Sequence, residues 1–332
     1  MKTIIESHIP YIKGALEPFG EVLYLEPEQF TPEAVANADA LVVRTRTRCD
    51  AALLDGSNVK FVGTATIGTD HIDLNYCASR GIEVASAPGC NAPAVAQYVL
   101  AHVGRRIAAL GVAPSDCTIG IVGVGHIGRI IERWAAAIGF KILLCDPPRA
   151  IAEGADRFVS LAEIAERADV ITFHTPLTRS GDYPTFHICN TQFVASLKRC
   201  HTLINAARGA VFDTAAVIEA PESIEIVTDC WEGEPAISPI LLAKSALATP
   251  HIAGYSLQGK MRATAMVLQA LKQHFALGID VDKVVATPPV AECPSLEQIM
   301  ASCNLENISE MLKSHPADFE SLRNNYKLRS EP

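Results

Sequence analysis

Eleven short apolar runs recur along this chain with helix-patterned stretches between them, and that alternation limits the fold more than any other feature. Runs of this length suit strands, and a helical stretch between two of them lets the strands lie parallel. Five runs fall at 3–5, 22–25, 41–44, 61–64 and 83–86, with helical stretches such as 32–38 and 71–79 among them. A Pro/Gly-marked link, Ala87-Pro88-Gly89-Cys90-Asn91, then opens a long apolar helix running to about Leu110. Six more runs follow at 118–122, 141–145, 170–174, 202–206, 225–228 and 247–249, and then a helix over 259–277. The pattern predicts an α/β chain of two doubly wound parallel-sheet lobes with a short C-terminal α-rich extension. The expected boundaries are 1–92 for the first lobe, 93–256 for the second, 257–282 for a helix returning to the first, and 283–332 for the tail.

Composition supports globular cores and narrows the function. The 332 residues are 49% hydrophobic and 20% charged, enough for two domains. A formal net charge of −9 argues against nucleic acid as a partner, and an anionic ligand would need a locally basic site. The ten cysteines form no C-x-x-C pair or metal-type cluster, so they read as reduced thiols, no metal is expected, and the compartment is expected to be cytoplasmic. The first residues, Met1-Lys2-Thr3-Ile4-Ile5-Glu6, are too soon charged for a signal peptide, and no apolar run is long enough for a bilayer.

Gly123-Val124-Gly125-His126-Ile127-Gly128 follows one predicted strand and opens one predicted helix. This G-x-G-x-x-G has the context a dinucleotide fingerprint requires. Gly123 permits the tight turn, Gly125 lets a pyrophosphate approach the backbone, and Gly128 lets helix and strand pack closely. Asp146 ends the next strand, where a carboxylate accepts from ribose hydroxyls and repels a 2′-phosphate, favouring NAD. Arg149, close by, can soften that preference.

Three residues point to chemistry on a hydroxy acid. Arg208, after the run 202–206, can hold a carboxylate by a bidentate fork. His251, after the run 247–249, can take the hydroxyl proton, and Glu234 can orient it and stabilise the imidazolium. Each has a plainer alternative: a helix-end arginine, a solvated loop acid, a structural histidine. Arg44-Thr45-Arg46-Thr47-Arg48 stands out in an acidic protein. If extended, it presents Arg44, Arg46 and Arg48 on one side, where Arg44 and Arg46 suit a substrate phosphate; the alternative is a solvated basic loop.

Together with the segments Phe61-Val62-Gly63-Thr64-Ala65-Thr66-Ile67-Gly68-Thr69-Asp70-His71 and His251-Ile252-Ala253-Gly254-Tyr255-Ser256-Leu257, these residues resemble the NAD-dependent D-2-hydroxyacid dehydrogenase family over about residues 1–280. The resemblance implies a flavodoxin-like substrate lobe and a Rossmann NAD lobe. It implies that Arg208, Glu234 and His251 are catalytic, and that His126, Ile127, Asp146, Thr175, Ala206, Ala207, Arg208, Asp229 and Gly254 contact NAD. It also implies substrate contacts at Thr45, Thr66 and Tyr255, and oxidation of a small phosphorylated hydroxy acid, 4-phospho-D-erythronate, to its 2-oxo acid. The family further implies a homodimer, with 283–332 as a shortened dimerisation-like segment and no membrane partner. Two readings stay beside this one: another 2-hydroxy acid such as 3-phosphoglycerate as substrate, and a non-catalytic NAD(H)-sensing binding protein.

Overall fold

Each of the eleven apolar runs is a strand in the computed structural model, which describes residues 1–332, with ends moved by a residue or two. The chain forms two units, Met1–Asn91 with Ser256–Pro289, and Ala92–Tyr255 with Val290–Pro332.

The first unit holds β1 (Lys2–Glu6), β2 (Glu21–Leu25), β3 (Ala40–Val43), β4 (Phe61–Thr64) and β5 (Glu83–Ala85). They pair parallel in the order β2-β1-β3-β4-β5, the flavodoxin-like arrangement. Strands covered on both faces need apolar residues on both. Accordingly Ile4, Leu41 and Val43 join one buried cluster, while Ile5, Ala40 and Val42 join the other. The helix Leu257–His274 lies on the second of these faces through Val267, Leu268 and Leu271.

The second unit holds β6 (Thr118–Val122), β7 (Lys141–Cys145), β8 (Val170–Phe173), β9 (Thr202–Asn205), β10 (Glu225–Thr228) and β11 (Ser245–Ala248). Their order is β11-β10-β9-β8-β6-β7, all parallel. A full Rossmann sheet carries one more strand outside β7; here Val159 N donates to Leu144 O at 2.8 Å but no strand forms. Strand order reverses between β6 and β8, so the switch point lies at their carboxyl ends. Because every strand runs the same way, the loops after β6, β8, β9, β10 and β11 all leave from that one edge of the sheet.

The tail is built into this unit. Helix Leu296–Ala301 sits on helix Ala92–Leu110 at Gly104, where even a Cβ would meet Leu296 and Met300 at 2.8 Å. Helix Glu306–Ser314 covers the exposed edge of β11, with Ser309 Oγ accepting from Ala248 N at 3.0 Å. No helix is long and apolar enough to cross a membrane. None of the ten cysteines is in a disulfide, and only Cys293 is exposed.

Candidate active site

The glycine loop is built for a bound phosphate. Gly123 has φ +91°, and a Cβ there would meet the His174 and Thr175 backbone at 2.7–2.8 Å. At Gly128 a Cβ would lie 2.3 Å from Gly123 O, so the helix His126–Ile138 can start this close to β6 only without a side chain. At Gly125 a Cβ would meet nothing within 4 Å, and this N-cap gives the helix's first amides no side-chain acceptor. Open space in front of unsatisfied amides at a helix start is what a pyrophosphate requires. Across the switch point, Thr175 Oγ1 and His174 Nδ1 are buried without a hydrogen-bond partner. Burial holds His174 down to about 3, so its ring is neutral. These observations fit NAD. Two details differ from the sequence expectation. Asp146 Oδ2 accepts from Val124 N (2.8 Å) and its Oδ1 from Arg149 N (3.2 Å), so the carboxylate shapes the loop. Arg149 spends its fork on Glu153 and on Val124 O.

Arg208, Glu234 and His251 follow β9, β10 and β11, three neighbouring strands, which is why residues far apart in sequence leave one edge together. Asn205, at the end of β9, staples two of the loops: its Nδ2 donates to Arg208 O (2.9 Å), Gly209 O (3.3 Å) and Cys230 O (3.3 Å). Arg208 is half-buried, with Nη1 on Ala207 O at 2.9 Å, and Ala206 and Ala207 are buried beneath it.

The two acids of Asp229-Cys230-Trp231-Glu232-Gly233-Glu234 part company. Glu232 takes His187 Nε2 (2.8 Å) and Thr214 Oγ1 (2.9 Å). Glu234 Oε1 lies 2.5 Å from His251 Nδ1, and its Oε2 accepts from Trp231 N at 3.1 Å. Burial opposes charge on both partners. Even so, His251 is held well above the usual histidine range, by Cys230 and by the Glu234 carboxylate, and Glu234 is held below the usual carboxylate range by His251. Above that raised pKa the ring is neutral, and with its remaining proton on Nδ1 facing the carboxylate it presents Nε2 as a proton acceptor.

Asp229 is buried beneath the His251 loop. It accepts from Thr249 Oγ1 (2.6 Å), Ile252 N (2.7 Å) and Ala253 N (3.0 Å). Burial raises its pKa, and His251 with these three donors offsets part of the rise. Gly254 and Tyr255 are half-buried, and Tyr255 Oη accepts from Arg323 Nε at 3.2 Å. Gly125 and His126 are exposed and Ile127 is half-buried, as a loop facing a ligand would leave them.

The basic strip differs from its expectation. Residues 44–47 form a turn, with Thr47 N on Arg44 O at 3.2 Å, because the buried Glu6 carboxylate draws in Arg44 N (2.9 Å) and Thr47 Oγ1 (3.0 Å). The three arginines therefore go separate ways. Arg46 pairs with Glu28 (2.6 Å), Arg48 pairs with Asp50 (2.5 Å), and Arg44 Nη1 reaches His8 O at 3.5 Å with no carboxylate partner. In the same unit Thr45 is exposed and Thr66 Oγ1 donates to Gly68 O at 3.1 Å. Sequence reasoning missed the supports: Gln97, Arg323 and Arg329 have no local pattern that marks them.

Residues 91–253 match the family model described as D-isomer specific 2-hydroxyacid dehydrogenase, NAD binding domain. The chain is 44% identical to the erythronate-4-phosphate dehydrogenase of Bacteroides thetaiotaomicron, covering 100% of this chain and 97% of the relative. It is 38% identical to that of Shigella flexneri, covering 100% and 92%. The likeness thus runs through the tail, beyond residue 280. Among solved structures, TT0316 protein from Thermus thermophilus superposes with TM-score 0.68 at 27% identity, over 82% of this chain and 97% of that one. The NAD-bound 3-phosphoglycerate dehydrogenase of Entamoeba histolytica shares the fold, with TM-score 0.67 at 24% identity over 84% and 96%. The chain is an NAD-dependent oxidoreductase that belongs to the D-isomer specific 2-hydroxyacid dehydrogenase family, among its erythronate-4-phosphate dehydrogenases.

Proposed function

We propose that this chain oxidises 4-phospho-D-erythronate to (R)-3-hydroxy-2-oxo-4-phosphooxybutanoate, a step toward pyridoxal phosphate. The observation that carries the chemistry is the 2.5 Å contact between His251, after β11, and Glu234, after β10, the strand beside Arg208's β9. Full-length relatives named for this reaction support the substrate. Bound NAD supplies the hydride acceptor, with the glycine loop, Asp146, Thr175 and Gly254 among the residues that would hold it. Arg208 orients the substrate carboxylate and favours the developing carbonyl. His251 Nε2 takes the hydroxyl proton, and Glu234 stabilises the imidazolium that results. Thr45, Thr66 and Tyr255 contact the rest of the acid. Arg44 is the preferred phosphate ligand, since Arg46 and Arg48 each have a carboxylate nearby. The protein works in the cytoplasm, where its thiols, none of them in a disulfide, stay reduced, and as a homodimer.

A substrate panel tests this reading. NAD reduction should be far faster with 4-phosphoerythronate than with 3-phosphoglycerate or lactate. Arg44→Ala should raise KM for the phosphorylated acid by roughly tenfold, the scale of one lost charge-assisted bond. Equal rates across the panel would remove the substrate assignment, and an unchanged KM would remove Arg44.

A further inference from the structure

We propose that Arg329, in the C-terminal tail, is a positioning residue for His251. The inference rests on His251 being the proton acceptor. Arg329 is only 9% exposed, and a guanidinium that deep must spend its donors. It has five N–H groups, and they are taken by five short-range acceptors, with Tyr326 Oη a sixth at 3.5 Å from Nη1. Nε donates to Gln97 Oε1 (2.9 Å), Nη1 to Ile252 O and Tyr255 O (both 3.1 Å), and Nη2 to Ala94 O (2.9 Å) and Ala253 O. Three of the five are carbonyls of the loop that leaves His251.

That loop does not hold its shape unaided. His251 has φ +55°, in the left-handed region that a residue with a Cβ occupies at a cost. Such a conformation persists where the surroundings over-determine it. Here the amides are held from one side, with His251 N on Asp229 O (2.9 Å) and Ile252 N and Ala253 N on the Asp229 carboxylate. The carbonyls are held from the other side by Arg329. Gln97, itself fully buried, anchors the clamp: its Nε2 donates to Ser302 Oγ (2.8 Å) and Ser330 O (2.8 Å) on either side of the tail. Asp229 sets the height of the loop and Arg329 sets its tilt, and together they aim the His251 ring at Glu234.

A lysine keeps the charge but has three donors and no planar fork, so it cannot span these acceptors. Arg329→Lys is expected to lower kcat by about 100-fold, the scale of a 1 Å misplacement. In the same variant the acid limb of kcat/KM should move to lower pH, as His251 loses its hold on Glu234. Leu312→Ala, a buried change in the tail that leaves the loop alone, should lower thermal stability without moving that limb. Should Arg329→Lys fail to fold, Gln97→Leu removes one acceptor and should displace the limb the same way, with a loss of about three- to tenfold. An unmoved limb in the folded variant, or a loss that tracks stability as in Leu312→Ala, overturns the proposal. His251→Ala separates the two readings: if it keeps full turnover, the assignment of the base fails and the role of Arg329 falls with it, whereas lost turnover there beside an unmoved limb in Arg329→Lys overturns the Arg329 proposal alone.

Discussion

At the scale of single residues, the Glu234–His251 pair makes a pH prediction. Burial is the largest influence on each and disfavours charge, yet the pair holds His251 well above 6.5 and Glu234 below 4.5. The histidine's share of stability is fully present below about 6.5 and is lost as pH rises through its raised folded value. The glutamate's share is present above about 4.5 and is lost as pH falls through its depressed folded value. Both are present between those two values. Glu234→Gln should therefore lower Tm most between pH 4.5 and 6.5, and progressively less at alkaline pH. In kinetics the same variant should shift the acid limb of kcat/KM downward and lower kcat, because a neutral amide stabilises the imidazolium less. A Tm deficit that does not vary with pH would show that the pair is not charged in the fold. The partners of these residues were legible only in part. Sequence order named Glu234 and His251, but nothing local distinguished Glu234 from Glu232, whose carboxylate goes instead to His187 and Thr214.

Among the elements, the glycine loop was the easiest to read, because its constraints are local. A tight turn, a bare N-cap and a close helix start each demand glycine within six consecutive residues, and the strand and helix flanking them are equally local signals. The structure also separates the glycines' duties. Gly128→Ala places a methyl 2.3 Å from Gly123 O and should destabilise the fold by about 1–3 kcal/mol. Gly125→Ala fills open space and should weaken NADH binding with little change in Tm. Paired melting and NADH titration decide this; equal effects on both quantities in both variants would deny the division. The basic strip was harder to read. Its alternating arginines promise a one-sided row only if the backbone stays extended. The turn at 44–47 is imposed by Glu6, a carboxylate 38 positions from Arg44 that no window around the strip contains.

For the whole molecule, the proposed homodimer predicts a solution mass near twice 35.6 kDa by light scattering. A monomer at micromolar concentration would remove that proposal and leave the intrachain roles of the tail intact. Those roles mark the boundary of what sequence reading could reach. Strand positions, parallel pairing, the dinucleotide loop and the candidates Arg208 and His251 were legible in the sequence, because periodicity, turn chemistry and strand-end placement are short-range properties, whereas nothing local separated Glu234 from Glu232. What only the tertiary structure decided is how the His251 loop is held. Arg329 reaches its carbonyls from 74 to 77 positions away, and Gln97 reaches Arg329 from 232. Hydrogen bonds across such separations leave no periodic trace in a polar tail. Which donors meet which carbonyls is set only when the tail helices pack on helix Ala92–Leu110 and on β11.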